Sequence, residues 1–141
     1  KRFRYKMTDS SKEHLNVLGT PLKMCGCTPM TGFYRDGLCR TDFQDRGVHS
    51  VCCVVTEEFL EFSKADGNDL STPMPQFQFP GLKPGDKWCL CAGRWLTAYK
   101  AGKACPVILE ACDEETLAII PMKFLEEMSY KKTSYSKERL P

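Results

Sequence analysis

The sequence predicts an α+β fold: a small mixed or mainly antiparallel sheet, short helices, and long ordered loops rich in proline and glycine. Apolar runs suited to strands alternate with short segments of helical periodicity. Several links between them are too short for the crossovers that parallel strands require. Ten glycines and nine prolines concentrate between these segments. A chain of 141 residues is long enough to build one core without metal or disulfide support.

Three regions follow one another along the chain. Residues 1–14 read as a basic N-terminal arm, residues 15–128 as a single globular domain, and residues 129–141 as a polar, basic C-terminal tail. Whether residues 1–6 are native or a remnant of processing or fusion stays open. The longest apolar run, residues 51–55, is far shorter than the ~20 residues of a membrane span. We therefore expect a protein that does not span the membrane.

The first strand and the helix after it have the clearest pattern. Residues 48–55 hold β-branched and cysteine side chains that are apolar on both faces, which is typical of a central strand. Thr56 is a suitable N-cap for a helix that ends at Gly67. Residues 68–84 then contain five prolines and glycines in a stretch that cannot be helical. They predict a long irregular loop.

The remaining elements are shorter. Alternation predicts a second strand over residues 87–92, and apolar spacing predicts a helix over residues 94–101 that stops at Gly102. Further along the chain, we expect two more strands, over residues 106–111 and residues 117–120. A last helix is expected from Pro121 onward, since proline is favoured in the first turn of a helix.

Several motifs resemble a known family. The longest are residues 67–73 and 79–95, and shorter ones lie at residues 16–19, 31–41 and 56–62. In these motifs the chain is similar to DUF2237, a family of uncharacterised proteins with a domain of unknown function, over roughly residues 15–128. The resemblance implies a stand-alone domain and supplies no reaction or ligand. Cys27 and Cys53 stand where other residues are common in the family, which argues against a shared cysteine metal site.

The cysteines predict free thiols. There are nine of them, an odd number, and most lie in or beside apolar runs where a thiol packs as a small hydrophobic group. This favours an intracellular, reducing compartment, either the cytoplasm or an organelle matrix. The C-x-C pairs Cys25/Cys27 and Cys89/Cys91 have a shorter spacing than the C-x2-4-C typical of zinc sites. We therefore expect no metal and no cofactor.

One polar loop is a candidate ligand site. Arg35, Asp36 and Arg40 lie together between glycines, and two guanidinium groups could bind an anion while Arg40 activates Cys39 as a thiolate. The alternative, which we favour, is an Arg/Asp network that orders irregular backbone. Arg94 offers a similar choice: it could clamp an anionic ligand, or stack on an indole and pair with an acid.

Two further residues are catalytic candidates. Only two histidines exist, and a Cys/His pair in the domain would use His49, with Cys39 as the favoured partner. A histidine at the start of a strand can equally be structural. Asp69 is a candidate nucleophile in the second polar loop, but Asx and ST turns explain its position without catalysis.

The charge distribution leaves two classes of function. The net charge of +2 is too small to indicate a specific nucleic-acid binder. Residues 1–12 and 129–141 nevertheless hold nine basic and two acidic residues, while the body is acidic. The first class is a non-catalytic accessory subunit of an intracellular assembly, held by protein partners through residues 1–14 and 129–141. The second is a small enzyme, or a binder of an anionic small molecule, with a polar Arg/Asp/Cys/His pocket.

Overall fold

A computed structural model describes the chain from residue 14 to residue 130. Within this part lie two strands and three helices: β1 (Val51–Val54), α1 (Glu57–Ala65), β2 (Lys87–Leu90), α2 (Ala92–Lys100) and α3 (Met122–Glu127). Single 3-10 turns lie at Pro75–Phe77, Leu109–Ala111 and Glu114–Ala118. The predicted α+β class, with a small antiparallel sheet and short helices, is confirmed. None of the described helices has the length and apolar character needed to cross a membrane.

The sheet is built around β1. β1 and β2 are antiparallel, with Cys52 opposite Cys89. On its other side β1 meets the segment around Val107: Val107 forms a bridge with Cys53, and the N–H of Val54 donates to the carbonyl of Pro106 at 2.9 Å. All four residues of β1 are buried. β1 is therefore the central strand that its two apolar faces predict, although it is shorter than expected.

The two longer helices follow the two strands directly. At α1, Thr56 Oγ1 accepts a hydrogen bond from the N–H of Phe59 at 3.1 Å, as its N-cap role predicts. α2 begins two residues earlier than the sequence predicts, because its N-cap is Cys91 at the end of β2. Trp95 on α2 is fully buried and donates its Nε1–H to the carbonyl of Cys105 at 3.0 Å. α2 is thereby fixed against the core at its centre.

The long proline-rich loop is irregular, as predicted. Its backbone folds back on itself where the N–H of Leu82 donates to the carbonyl of Leu70 at 2.8 Å. Both leucines are buried. They attach the two ends of the loop to the core while its middle stays exposed.

The two later strands predicted from the sequence are wrong. Over residues 106–111 only Val107 pairs as in a sheet, and a 3-10 turn follows. Residues 117–120 lie at and after the end of a second 3-10 turn, which Asp113 caps by accepting from the N–H of Glu115 at 2.9 Å. A short apolar run has no periodicity that distinguishes a strand from a turn. The conformation of residues 114–118 is therefore decided by the Asp113 cap and by the buried hydrogen bond between the hydroxyl groups of Ser50 and Thr116 (2.6 Å). α3 begins after Pro121, as predicted.

Two disulfides attach the N-terminal loops to the sheet. Cys25 is bonded to Cys52 on β1, and Cys39 is bonded to Cys89 on β2. The expectation of free thiols is therefore wrong for these four cysteines. It holds for the other five, Cys27, Cys53, Cys91, Cys105 and Cys112. The pairing follows from the register: two strand cysteines stand opposite each other, and the loops bring one further cysteine to each.

The described residues at either end contact the body. His14 Nδ1 lies 2.8 Å from Oδ2 of the buried Asp113. At the other end, the N–H of Tyr130 donates to the carbonyl of Val107 at 2.7 Å. The predictions for residues 1–13 and 131–141, which form most of the arm and the tail, lie outside the described residues.

Candidate functional site

A free thiol lies where β2 passes into α2. Cys91 follows the last residue of β2 and is the N-cap of α2, with φ −59° and ψ 129°. Its side chain is only partly buried. The strand-to-helix turn therefore places a sulfur atom at the N-terminal end of a nine-residue helix. A helix N-terminus carries a partial positive charge that favours an anion.

His49 lies beside this thiol. The Cβ of an alanine at position 47 would lie 2.8 Å from Cε1 of His49 and 3.2 Å from Sγ of Cys91, so Gly47 borders both groups. On its other side, His49 Nδ1 is 2.7 Å from Oδ1 of Asp45. Because Nδ1 is hydrogen-bonded to Asp45, Nε2 is the imidazole nitrogen that can exchange a proton with another group.

Asp45 is fixed in the core. Its side chain is fully buried, and its second oxygen, Oδ2, accepts from the hydroxyl of Thr41 at 2.9 Å and from the backbone N–H of His49 at 2.8 Å. A buried carboxylate with these partners cannot turn away from the imidazole without losing them. Cys91, His49 and Asp45 thus form a row of thiol, imidazole and carboxylate.

The row holds His49 in its charged form. The neighbouring Cys91 side chain, and to a smaller extent Asp45, raise the pKa of His49 to about 9, against the opposing effect of burial. His49 is therefore protonated at neutral pH. This places a positive charge and a proton donor beside the sulfur of Cys91.

A strained residue joins His49 to α2. Val48 has φ +50°, in the left-handed region that costs a β-branched residue about 1–3 kcal/mol. Its N–H donates to the carbonyl of Asp45 at 3.0 Å, and its own carbonyl accepts from the N–H of Ala92 at 2.9 Å. These bonds hold the strained conformation and keep the His49 segment against the first turn of α2.

Two backbone donors next to Cys91 are open. Ala92 donates to Val48, but the N–H groups of Gly93 and Arg94 have no protein acceptor among residues 14–130. A Cβ built at Gly93 would meet no atom within 4 Å. The first turn of α2 therefore has two backbone donors close in sequence to the thiol that lack a protein acceptor in this part of the chain, and a site that stabilises an oxyanion needs such donors.

The row does not have the shape of a metal site. In a metal cage the ligand atoms converge on one point. Within the described part of the chain, such convergence is found only for the sulfurs of Cys25, Cys39 and Cys89. His49 instead stands between its two partners, which is the arrangement of a proton relay.

Comparison with known proteins identifies the family. The family model described as an uncharacterized protein conserved in bacteria, DUF2237, matches residues 15–129. The chain belongs to the DUF2237 family. No curated protein matches this DUF2237 chain.

Cys39, which the sequence favoured as the partner of His49, does not have that role. It is fully buried and bonded to Cys89, so the thiol beside His49 in this DUF2237 protein is Cys91. Cys91 was not predicted as a site residue, because the strand pattern of residues 87–92 extends through it, although a helix shortly afterwards was expected. Asp45 was not predicted either, and its spacing of four residues from His49 was the available signal.

The predicted anion loop is paired internally. Arg40 Nε lies 2.7 Å from Oδ2 of Asp36, and its guanidinium lies 4.1 Å from the centre of the Tyr34 ring. Arg35 donates to the carbonyl of Gly32 at 2.6 Å and lies over the Trp88 ring at 5.3 Å. Arg35 also lines a shallow cavity of about 210 Å³, together with Leu70, Met74, Phe77, Phe79 and Trp88.

Asp69 and Arg94 also have local partners. The Asp69 carboxylate accepts hydrogen bonds from the N–H and the hydroxyl of Thr72 and from the N–H of Ser71. The bond from the Thr72 hydroxyl is the main cause of the lowered pKa of Asp69. Arg94 donates to the carbonyl of Asp66 at 3.0 Å and lies 3.5 Å from its carboxylate. Of the predicted catalytic residues, the structure places only His49 in the row with a free thiol.

Proposed function

We propose that this DUF2237 protein is a thiol-dependent enzyme that acts on a carbonyl compound by acyl transfer. Cys91 is the nucleophile, His49 moves the proton, and Asp45 orients His49. The single observation that carries the proposal is the row of these three side chains, with the thiol at the start of a helix. A nucleophile, a base and a third group that orients the base recur in unrelated cysteine and serine hydrolases.

The proposed reaction has two steps. In the first, the Cys91 thiolate attacks the carbonyl carbon, and the N–H groups of Gly93 and Arg94 bind the oxyanion that develops. His49 then donates its proton to the leaving group, which gives a thioester at Cys91. In the second step, water gives a proton to His49 and attacks the thioester. The carboxylic acid product leaves, and Cys91 and His49 return to their starting states.

One side chain indicates where the substrate lies. Phe33 stacks on His49, with ring centres 5.8 Å apart and planes at 25°, and is still 41% exposed. It therefore forms an apolar wall beside the imidazole. A substrate that presents an apolar group next to its carbonyl would cover this ring and exclude water from His49.

The other expectations from the sequence remain proposals. The role as an accessory subunit depends on the basic ends, residues 1–14 and 129–141, most of which lie outside the described residues. Such a role is compatible with catalysis, because an enzyme can also bind a partner through its ends. Binding of an anionic small molecule by Arg35, Asp36, Arg40 and Arg94 has weaker support, because Arg40 and Arg94 already face carboxylates. An intracellular, reducing compartment suits the enzyme, since a nucleophilic thiol must stay reduced.

The test compares Cys91 with Cys27, the free cysteine that is exposed. Native protein is treated with a limiting amount of iodoacetamide at pH 7, and peptide mass spectrometry gives the rate of alkylation at each residue. We expect Cys91 to react at least ten times faster than Cys27, although it is less exposed. In His49→Gln the Cys91 rate should fall toward that of Cys27.

Acyl transfer itself is tested with an activated ester. Wild-type protein and Cys27→Ser should accumulate an acyl adduct on Cys91 when mixed with 4-nitrophenyl acetate, and Cys91→Ala should not. Intact-protein mass spectrometry detects the adduct. Equal alkylation of Cys91 and Cys27, or acylation that persists in Cys91→Ala, would overturn the proposal.

A further inference from the structure

The four cysteines of the two disulfides form a single buried group of sulfur atoms. The Sγ atoms of Cys25, Cys39 and Cys89 all lie within 4.8 Å of one another, and Cys52 is bonded to Cys25. None of the four residues is more than 3% exposed. Two come from loops and two from the strands, where Cys52 and Cys89 stand opposite each other. Four separate segments therefore deliver one sulfur each to one buried region, where three sulfurs are mutually close and that of Cys52 is bonded to one of them.

The mutual closeness of three of these sulfurs is compatible with the ligand spacing of a tetrahedral zinc site. Four thiolates at a Zn–S distance of ~2.3 Å have sulfurs ~3.8 Å apart. Once each S–S bond is broken, the paired sulfurs must move apart to that distance, and Sγ of Cys52 must come as close to those of Cys39 and Cys89 as Sγ of Cys25 already is. Four thiolates then complete the coordination of a single zinc ion.

We propose that in the reduced protein Cys25, Cys39, Cys52 and Cys89 bind one Zn²⁺ as a structural tetrathiolate site. A dithiol reductant supplies two electrons and two protons to each disulfide and is itself oxidised to a disulfide. The four thiols formed then lose their protons as zinc binds, and the zinc keeps its oxidation state. The zinc form and the disulfide form are alternatives, because both use the same sulfurs.

The site would hold the same loops that the disulfides hold. Cys25 and Cys39 bracket residues 31–37, the loop that carries Phe33 against His49. That loop is otherwise attached by noncovalent contacts, such as the hydrogen bond from the N–H of Cys89 to the hydroxyl of Thr31 at 2.8 Å. In a reducing compartment, zinc would replace the lost covalent links and keep the loop in place.

The proposal differs from what the C-x-C spacing suggested. The sequence offered Cys25 with Cys27 and Cys89 with Cys91 as ligand pairs, a pattern that argues against zinc. In the structure only one cysteine of each pair joins the group: Cys27 is exposed, and Cys91 lies beside His49. The proposed ligands are thus a different set, and the site is independent of the thiol chemistry proposed for Cys91.

The test begins with the full chain unfolded and reduced with a phosphine, which adds no competing thiol. The chain is refolded with or without Zn²⁺ and desalted. We expect one zinc per chain by elemental analysis, and a higher melting temperature with zinc than without it. Refolding with Co²⁺ should give intense visible bands and sulfur-to-metal charge-transfer absorption, which are signatures of tetrahedral thiolate ligation.

Variants separate this site from other thiols. Cys27→Ser is the matched control, because it removes the other cysteine of a C-x-C pair, and Cys91→Ser removes the proposed nucleophile. Both should keep one zinc per chain. The double variant Cys39→Ser/Cys89→Ser should lose at least nine-tenths of its zinc.

Should that double variant fail to fold, the cobalt spectrum of the wild type still decides the question, since its charge-transfer intensity grows with the number of bound thiolates. Reduced wild type that retains no metal would overturn the proposal. So would a cobalt spectrum without thiolate bands, or equal zinc in the folded double variant.

Discussion

Asp45 binds His49 at two points: Oδ1 lies 2.7 Å from the ring Nδ1, and Oδ2 accepts from the backbone N–H of His49 at 2.8 Å. The carboxylate therefore fixes both the position of the residue and the orientation of its ring. A hydrogen bond to Nδ1 also decides which ring nitrogen is available on the opposite side. In the proposed reaction, this relationship lets His49 transfer a proton on the side that faces Cys91 and place a positive charge beside it.

Replacing Asp45 with Asn should impair His49 while leaving the thiol in place. An amide keeps the size of the side chain but removes the negative charge, and its NH₂ group can leave Nδ1 as an acceptor with the proton on Nε2. We expect at least a tenfold fall in the rate of Cys91 alkylation at pH 7, measured by peptide mass spectrometry. Asp42→Asn is the control from the same loop, because Asp42 contacts Tyr34 instead. An Asp45→Asn protein that reacts like the wild type would show that the carboxylate does not act through His49.

The raised pKa of His49 predicts a pH-dependent part of the stability. Its folded pKa of about 9 exceeds the unfolded value of 6.5, so this contribution is fully present below pH 6.5 and is lost as the pH rises through 9. Because His49 is partly exposed, solvent screening reduces the effect, and we expect about 1–2 kcal/mol. Urea unfolding at pH 6 and pH 9.5 measures it. His49→Gln should show a smaller difference between the two pH values than the wild type.

The sequence predicts the parts of the fold that local chemistry determines. Thr56 caps α1, the prolines keep residues 68–84 out of a helix, and Pro121 precedes α3, because each of these effects acts within a few residues. The segment around Val107 could not be predicted in the same way. Its apolar run suits a strand, but its single bridge to Cys53 and the turn that follows depend on residues far away in the chain.

The candidate site was predictable only in part. His49 stands out because the chain has two histidines. Its thiol partner depends on which cysteine the fold brings to it, and nine cysteines leave that choice open. The deciding details are the early start of α2 at Cys91 and the left-handed Val48, and neither follows from spacing alone.

The disulfide assignment predicts a thiol count. Protein purified without reductant and denatured in guanidinium should give five reactive thiols per chain with a chromogenic disulfide reagent, and nine after reduction. Peptide mapping of the alkylated, unreduced chain should recover the cross-linked pairs Cys25 with Cys52 and Cys39 with Cys89. Nine thiols before reduction would mean that the purified protein is in the reduced state.

Trp95 is the largest fully buried side chain among the described residues. Its side chain is fully buried, stacks on Tyr99 with ring centres 5.4 Å apart, and donates a hydrogen bond to Cys105. Trp95→Ala should destabilise the protein by about 3–5 kcal/mol, because it leaves a large cavity and an unpaired buried carbonyl. Denaturant unfolding at pH 7 gives the value. Phe77→Ala is the control, since Phe77 is 67% exposed, and its stability should change by less than about 1 kcal/mol.

Gly47 provides a steric test of the site that leaves its three functional side chains intact. A Cβ at this position would lie 2.8 Å from Cε1 of His49 and 3.2 Å from Sγ of Cys91, and the imidazole must move to relieve the first contact. In Gly47→Ala we expect at least a tenfold loss of Cys91 acylation with 4-nitrophenyl acetate, because a small displacement of a catalytic group has a large effect on rate. Gly26→Ala is the matched control, since a Cβ there would make only an ordinary contact of 3.6 Å with Cβ of Lys87. The added methyl does not touch His49 or Cys91, so acylation should stay within about threefold of wild type. Equal rates in Gly47→Ala and wild type would show that His49 and Cys91 need not be held at this distance to react.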